Sequence, residues 1–437
     1  MNKSELKQAV CKAIDERAQE IRDFKVDIWR HPELGFKEHR TADAFARVLD
    51  SLGMSPRTGL AITGVRADLQ GKEPGPKVAI MGELDAVICW EHPEADRSTG
   101  AVHACGHDAQ LASVVGAAIG LVDSGAMDYL SGMVAFIGVP AEEFVELEFR
   151  TKLQEEGKLE FFGGKQEMLR LGHLDDIDIA EMVHIESDTP GRVVKLSSGT
   201  NGFVGKTVRY IGKEAHAGAA PFLGANALNA AILGIMGIHA QRETFRDEDH
   251  IRVHPIITKG GDLVNIVPAD VRIETYVRGA RTEAIMDANK KVNRALRAGA
   301  MAIGTEIEIK EIPGYLPLRP SAELSAIFEL NTRALLGDEG VHVGEFSGGS
   351  TDMGDISHII PSIHPFIGGV QGAAHTRTYK VVDLDMVSVI PAKLLAMTVV
   401  DLLWDGAAEA KRVQESFKPA FTKDTYLKMW RDFVKGS

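Results

Sequence analysis

The sequence predicts an α/β protein, a central sheet covered on both faces, with a self-contained α+β segment inserted into it. Three observations carry this prediction. The apolar runs 77–82 and 132–139 flank a small-residue helical stretch at 109–122, and strands that are apolar on both alternating faces belong to a sheet buried on both sides. Between about 195 and 311 the pattern runs strand, helix, strand, strand, helix, strand. The chain has 437 residues, 44% of them hydrophobic, enough for a large core split over two domains.

The elements follow in order. The first 24 residues pattern as one charged amphipathic helix; a polar turn, Arg30-His31-Pro32-Glu33-Leu34-Gly35, leads into a helical period over 41–52. Asp85 lies just past the strand at 77–82, and Glu142 and Glu143 lie just past the strand at 132–139. Doubly wound sheets collect their chemistry at such strand ends. In the inserted segment, 203–211 alternates as a strand, 226–241 is helical, 254–258 and 271–278 alternate, 282–303 is helical and 307–312 alternates. That order is the ferredoxin-like split unit. The expected division is 1–194 and 314–437 for one domain and 195–313 for the insertion. After Gly314-Tyr315-Leu316-Pro317 the chain resumes helix and strand patterning, with a helix at 386–403 and a charged, surface helix at the C-terminus.

Charge and cysteine usage narrow the function class. With 62 acidic against 49 basic residues the formal net charge is −13, which leaves no basic patch for a polyanion, so nucleic acid is not expected as a partner. Cys11, Cys89 and Cys105 are too few and too scattered for a disulfide framework, and the N-terminal helix has no apolar signal core. A reducing, cytoplasmic compartment is expected. No run approaches the roughly 18 to 20 uninterrupted apolar residues of a membrane span, so a soluble protein with no membrane partner is expected.

The chemistry concentrates in His103-Ala104-Cys105-Gly106-His107-Asp108 and in Pro140-Ala141-Glu142-Glu143. Alone, His107 reads as a satisfied core or helix-cap histidine, and Cys105 as an inert buried thiol. Together, in a glycine-containing turn before a helix, they point to metal ligation, because a packing site has no use for so many ionisable groups. Glu142 and Glu143 alone could be a solvated turn; beside a divalent ion, one carboxylate can neutralise metal charge while the other moves a proton. His184, in an apolar strand-like run, and His375, in a small-residue loop, each read equally as a ligand or as an ordinary histidine. His216, in the inserted segment, reads as a substrate or oxyanion group rather than a ligand. The stretch 200–207 misses the phosphate-loop pattern by one position and continues as strand.

These residues resemble the dinuclear metal amidohydrolases, the family of aminoacylases, hippurate hydrolases, auxin-conjugate hydrolases and p-aminobenzoyl-glutamate hydrolase. The markers span nearly the whole chain: His31-Pro32-Glu33-Leu34, Glu83-Leu84-Asp85, the Cys105 and Glu142 motifs, His216-Ala217 with Pro221 and Asn226-Ala227, Lys259-Gly260-Gly261 with Asn265-Ile266-Val267-Pro268, and His375. The resemblance implies a mixed-sheet, zinc-peptidase-like catalytic domain with an inserted lid and dimerisation domain, and hence a homodimer. It implies that Cys105, His107, Glu143, His184 and His375 hold two divalent ions in each protomer, that Glu142 is general base and acid, that His216 serves the oxyanion and that Asp85 orients the ligand shell. The run 349–355 is most similar to the B-type component of p-aminobenzoyl-glutamate hydrolase. One departure is an acidic and aromatic insertion, 144–162, starting at the carboxylates.

The expected reaction is hydrolysis of the amide bond of an N-acyl-amino acid or related conjugate, releasing a free amino acid. A thiolate ligand favours zinc first, with cobalt, nickel and manganese as alternatives. The small-molecule substrate is expected to carry a free carboxylate. Arg278, at a strand end, is the candidate partner for it, with a surface arginine as the equal alternative; Asn265, Gly349 and Ser350 are candidate neutral donors. The competing readings are a dipeptidase or aminopeptidase that needs a free substrate amine, and a non-catalytic metal-binding homologue.

Overall fold

The computed structural model describes residues 1–344 and 346–435. The chain divides into two compact units, one of Met1–Ser198, Arg319–Phe346 and Asp355–Lys423, the other of Gly199–Leu318, Ser347–Gly354 and Asp424–Ser437.

The first unit is a mixed α/β structure built on a six-stranded sheet. Its strands lie in the order Arg57–Leu60, Gly64–Gln70, Ser131–Val139, Glu73–Glu83, Ile179–Glu181, Ser362–Ile363. The first two pairings are antiparallel and the other three parallel. Val78, Ala79, Ile80 and Met81 are all buried although consecutive side chains point to opposite faces, so the central strand is covered on both sides. The helix His107–Asp123 and the long helix Ile390–Ser416 pack on that strand. Fifteen consecutive residues of the former, His107 to Leu121, are buried, which is why its sequence is small and apolar all round. A second, four-stranded sheet runs Val341–Val343, Val194–Leu196, Phe366–Ile367, His184–Ile185 and places His184 on an edge strand.

Three elements differ from the sequence expectation. The N-terminal stretch is two helices, Lys3–Glu16 and Ala18–Trp29, broken at Arg17. The helix expected over 386–403 begins as a π-turn at Asp385–Val389 and resumes beyond a break at Trp404–Ala407, where Asp405 and Gly406 take left-handed conformations. By length and composition this segment, Asp385–Ser416, could cross a membrane, but 89% of its most apolar window is buried inside the protein, so it is a core helix. The C-terminal helix Lys423–Lys435 is not wholly a surface helix; it buries Tyr426, Leu427 and Trp430.

In the second unit four antiparallel strands stand in the order Arg252–Lys259, Asp270–Gly279, Gly202–Ile211, Glu306–Ile312, with helices Ala227–Ala240 and Thr282–Ile303 packed against each other and against the sheet. The first strand of the segment is therefore central, and it pairs with the third and the fourth.

Candidate metal centre

The site assembles at the C-terminal ends of two adjacent parallel strands. Glu73–Glu83 delivers Glu83 and, two residues on, Asp85; Ser131–Val139 delivers Glu142 and Glu143. Ala141 stands in the left-handed region at φ 52°, turning the chain so that both following carboxylates are almost fully buried. Cys105 and His107 flank Gly106, at φ 85°, where a side chain is excluded twice over: the conformation disfavours it, and a Cβ would fall 2.5 Å from Ile185 Cγ1. His375 is also left-handed, φ 59°, and its N–H donates to the Ala104 carbonyl at 2.9 Å, tying the last ligand loop to the first.

Donor atoms of Cys105, His107 and His184 lie within 4.8 Å of one another, as do those of Cys105, Glu143 and His375, and those of Glu83, His107 and Glu142. Cys105 is common to the first two groups. Its Sγ is 3.4 Å from His184 Nε2, and His375 Nε2 is 3.0 Å from Glu143 Oε1. Two of the histidines are held by main-chain oxygens. His107 Nδ1 donates to the main-chain oxygen of Asp85 at 2.9 Å, with the Asp85 carboxylate at 3.2 Å, and His184 Nδ1 donates to the Ile185 carbonyl at 2.8 Å. Because a carbonyl only accepts, both rings must keep the proton on Nδ1, which leaves the Nε2 lone pairs facing the cluster. His107 Nε2 approaches Glu83 Oε2 at 3.0 Å, yet neither it nor Glu143 Oε1 has a hydrogen-bond partner among the described residues. Lone pairs that converge this closely without a hydrogen bond fit a cation between them.

The electrostatics agree with that fit. Burial and the Glu143 carboxylate push the Cys105 thiol up, but His107, His184 and His375 in their protonated forms outweigh them and bring it down to about 6, favouring the thiolate; a bound cation would supply that positive charge in place of the ring protons. Burial likewise raises Glu143, and His375 with His107 brings it down to about 2. Asp85 also accepts the Glu143 N–H at 2.9 Å, so one carboxylate positions both a histidine and the carboxylate segment.

The structure thus gathers Cys105, His107, Glu142, Glu143, His184, His375 and Asp85 in the first unit. His216, Asn265, Arg278, Gly349 and Ser350 belong to the second. There Arg278 Nη1 donates to Ser350 Oγ at 2.8 Å, with the guanidinium over the rings of Phe203 and Tyr276, and the Ala217 N–H beside His216 donates to the Asn265 carbonyl at 2.9 Å. Sequence reasoning gave no role to Glu83, which sits beside His107 and is paired with Lys165 at 2.6 Å, both fully buried. Its position two residues before Asp85 at a strand end was the available signal. Lys165 had none, since its partner is 82 residues away. The buried pair of Lys25 and Asp108, at 2.8 Å, was also missed.

Comparisons with known proteins show the family. Residues 79–391 match the model of peptidase family M20/M25/M40. The chain is similar to a mouse Xaa-Arg dipeptidase, 29% identical with 97% of this chain and 94% of the relative covered. It is 25% identical to the A-type component of the Escherichia coli p-aminobenzoyl-glutamate hydrolase, with 90% of this chain and 98% of that protein covered. Among solved structures, a dinuclear metal-binding M20 peptidase of Bacillus subtilis superposes with a TM-score of 0.67 over 88% of this chain and 98% of its own, at 23% identity. An aminobenzoyl-glutamate utilization protein of Klebsiella pneumoniae superposes with a TM-score of 0.66 at 19% identity, covering 90% and 98%. The chain belongs to the M20 peptidase family and is a hydrolase of amide or peptide bonds.

Proposed function

We propose that this protein is a two-metal amidohydrolase that cleaves a small amide carrying a free carboxylate, an N-acyl-amino acid or a dipeptide, and releases a free amino acid. The observation that carries the reading is the convergence of Cys105, His107, Glu143, His184 and His375 donor atoms around a cluster that also holds Glu142. Bound there, divalent ions supply Lewis acidity toward the carbonyl and lower the pKa of water toward about 7 in favourable zinc sites. Zinc suits the thiolate and imidazole donors best; manganese, cobalt and nickel follow.

The remaining steps fall to the protein. Glu142, whose Oε2 is 3.8 Å from His107 Nε2, takes the proton of the attacking water and returns it to the leaving nitrogen. Asp85 holds His107 in the tautomer that ligates. His216 stabilises the developing oxyanion, and Arg278 takes the substrate carboxylate in a bidentate fork with Asn265, Gly349 and Ser350 as neutral donors. We read residues 195–313 as a ferredoxin-like lid and dimerisation domain between catalytic parts 1–194 and 314–437. The antiparallel order fourth, first, third, second supports that reading.

The dipeptidase reading is favoured by the relative matched over 97% of this chain, whose name states Xaa-Arg dipeptides as substrate. A panel of N-acyl-amino acids, aminobenzoyl-glutamate and free-amine dipeptides, some ending in arginine, assayed with metal-reconstituted protein, separates the two. Metal-dependent hydrolysis of blocked substrates supports the amidohydrolase. Hydrolysis confined to free-amine dipeptides supports the dipeptidase, and inactivity on the whole panel contradicts both.

A further inference from the structure

The segment 144–162 begins at the paired carboxylates and folds back onto them. Its helix Leu147–Glu155 carries Arg150, whose side chain is 1% exposed and has no carboxylate partner among the described residues. The guanidinium is instead taken up by main-chain oxygens. Nη1 donates to the carbonyl of Phe162 at 2.5 Å and, at 3.5 Å, to that of Ala141; Nη2 donates to the carbonyl of Glu143. The guanidinium carbon lies over the rings of Phe36 and Phe144, 5.3 and 5.9 Å from the ring centres. A buried cation is costly, and one held by carbonyls of the turn at 141–143 together with that of Phe162 ties the turn to the end of the inserted segment.

The turn in question is the one that aims Glu142 and Glu143. Left-handed Ala141 has its N–H held by Glu38 Oε1 at 2.8 Å, and the Glu143 N–H is held by Asp85 at 2.9 Å. Arg150 closes the remaining side, gripping the carbonyls of the same residues. Gly35 leaves the space for it, since a Cβ there would fall 2.6 Å from Arg150 Nη2 and 2.9 Å from Ala141 Cβ. The geometry points to Arg150 as a positioning residue of the hydrolytic site: its guanidinium fixes the main chain of residues 141–143 and so the directions of the two carboxylates. This rests on the reading of Glu142 as the proton-transfer group and Glu143 as a ligand.

Arg150→Ala and Arg150→Lys test it with two readouts. In metal-free protein, amide hydrogen exchange over residues 140–146 should quicken about tenfold or more while the core helix at 391–403 keeps its protection. In metal-loaded protein, kcat should fall about 10²-fold in Arg150→Ala with KM nearly unchanged, the scale expected when a reacting group is misplaced by about 1 Å. Lysine should not restore it, because a point charge cannot span several carbonyls, whereas added guanidinium should restore part of kcat in Arg150→Ala. Should Arg150→Ala fail to fold, Arg150→Gln, which keeps much of the side chain but not the charged fork, replaces it and should show the same local exchange and the same kcat loss. Unchanged exchange over 140–146, or full activity in Arg150→Lys, overturns the proposal. A wild-type protein without metal-dependent turnover counts against the site reading alone, and the exchange result on metal-free protein still decides the role of Arg150.

Discussion

Cys105 is the residue on which the centre depends, since it belongs to two of the three donor groups and no hydroxyl binds a borderline ion as a thiolate does. Cys105→Ser is expected to lose metal and activity together. Elemental analysis that finds full occupancy and normal turnover in that variant contradicts the assignment. A second residue-scale prediction concerns Glu181, fully buried at the end of a central strand with neither carboxylate oxygen hydrogen-bonded among the described residues. Burial raises its pKa well above 4.5. The native state then holds a proton that the unfolded state releases, so this contribution to stability is intact below about pH 4.5 and is lost as pH rises toward the elevated folded value, at about 1.4 kcal/mol per unit of elevation. Glu181→Gln removes the titration. Its stability relative to wild type should therefore improve from pH 4.5 to pH 8 in denaturant titrations, and a pH-independent difference contradicts the account.

Among the elements, the helix His107–Asp123 holds the site by being buried on every side. A Cβ at Gly116 would fall 2.6 Å from Ala392 Cβ, and one at Gly120 the same distance from Ile14 Cγ1. Gly116→Val should lower stability by about 1–3 kcal/mol despite the loss of a helix-weakening glycine, because overpacking outweighs propensity. An unchanged denaturation midpoint contradicts that packing. The same helix shows what was legible in the sequence. Its apolar, small-residue composition and the two apolar strands around it predicted the sheet and the strand ends where Asp85, Glu142 and Glu143 sit. The break at Arg17 was not legible, because a 3.6-residue period survives a one-residue interruption; the expected end of the later helix at 403 falls at the break that begins with Trp404, but its resumption beyond Ala407 was not foreseen. His184 and His375 were ambiguous for a physical reason: the approach of His184 to Cys105, that of His375 to Glu143 and the Ala104 tether all join chain regions brought together only by folding. Two buried cations, Arg150 inside the inserted segment 144–162 and Lys165 just beyond it, carried no local signal at all.

For the whole molecule, the proposed dimer places a demand on His216. If the lid histidine serves the neighbouring protomer, mixing His216→Ala chains with Glu142→Gln chains under exchange conditions rebuilds one intact site in some mixed dimers. Activity should rise above either parent, and His216→Ala alone should cost about 10²–10³-fold in turnover with its metal content unchanged. No recovery despite proven exchange of protomers contradicts action in trans. The central claim, that the centre binds two ions and that Glu142 moves the proton, is tested most directly by metal content and turnover measured together on Glu142→Gln. The amide keeps the shape and removes the base, so the account predicts two ions per chain, as in the wild type, with kcat lower by about 10²–10⁴-fold. A variant that holds both ions and keeps more than about a tenth of wild-type turnover, far above that range, contradicts it.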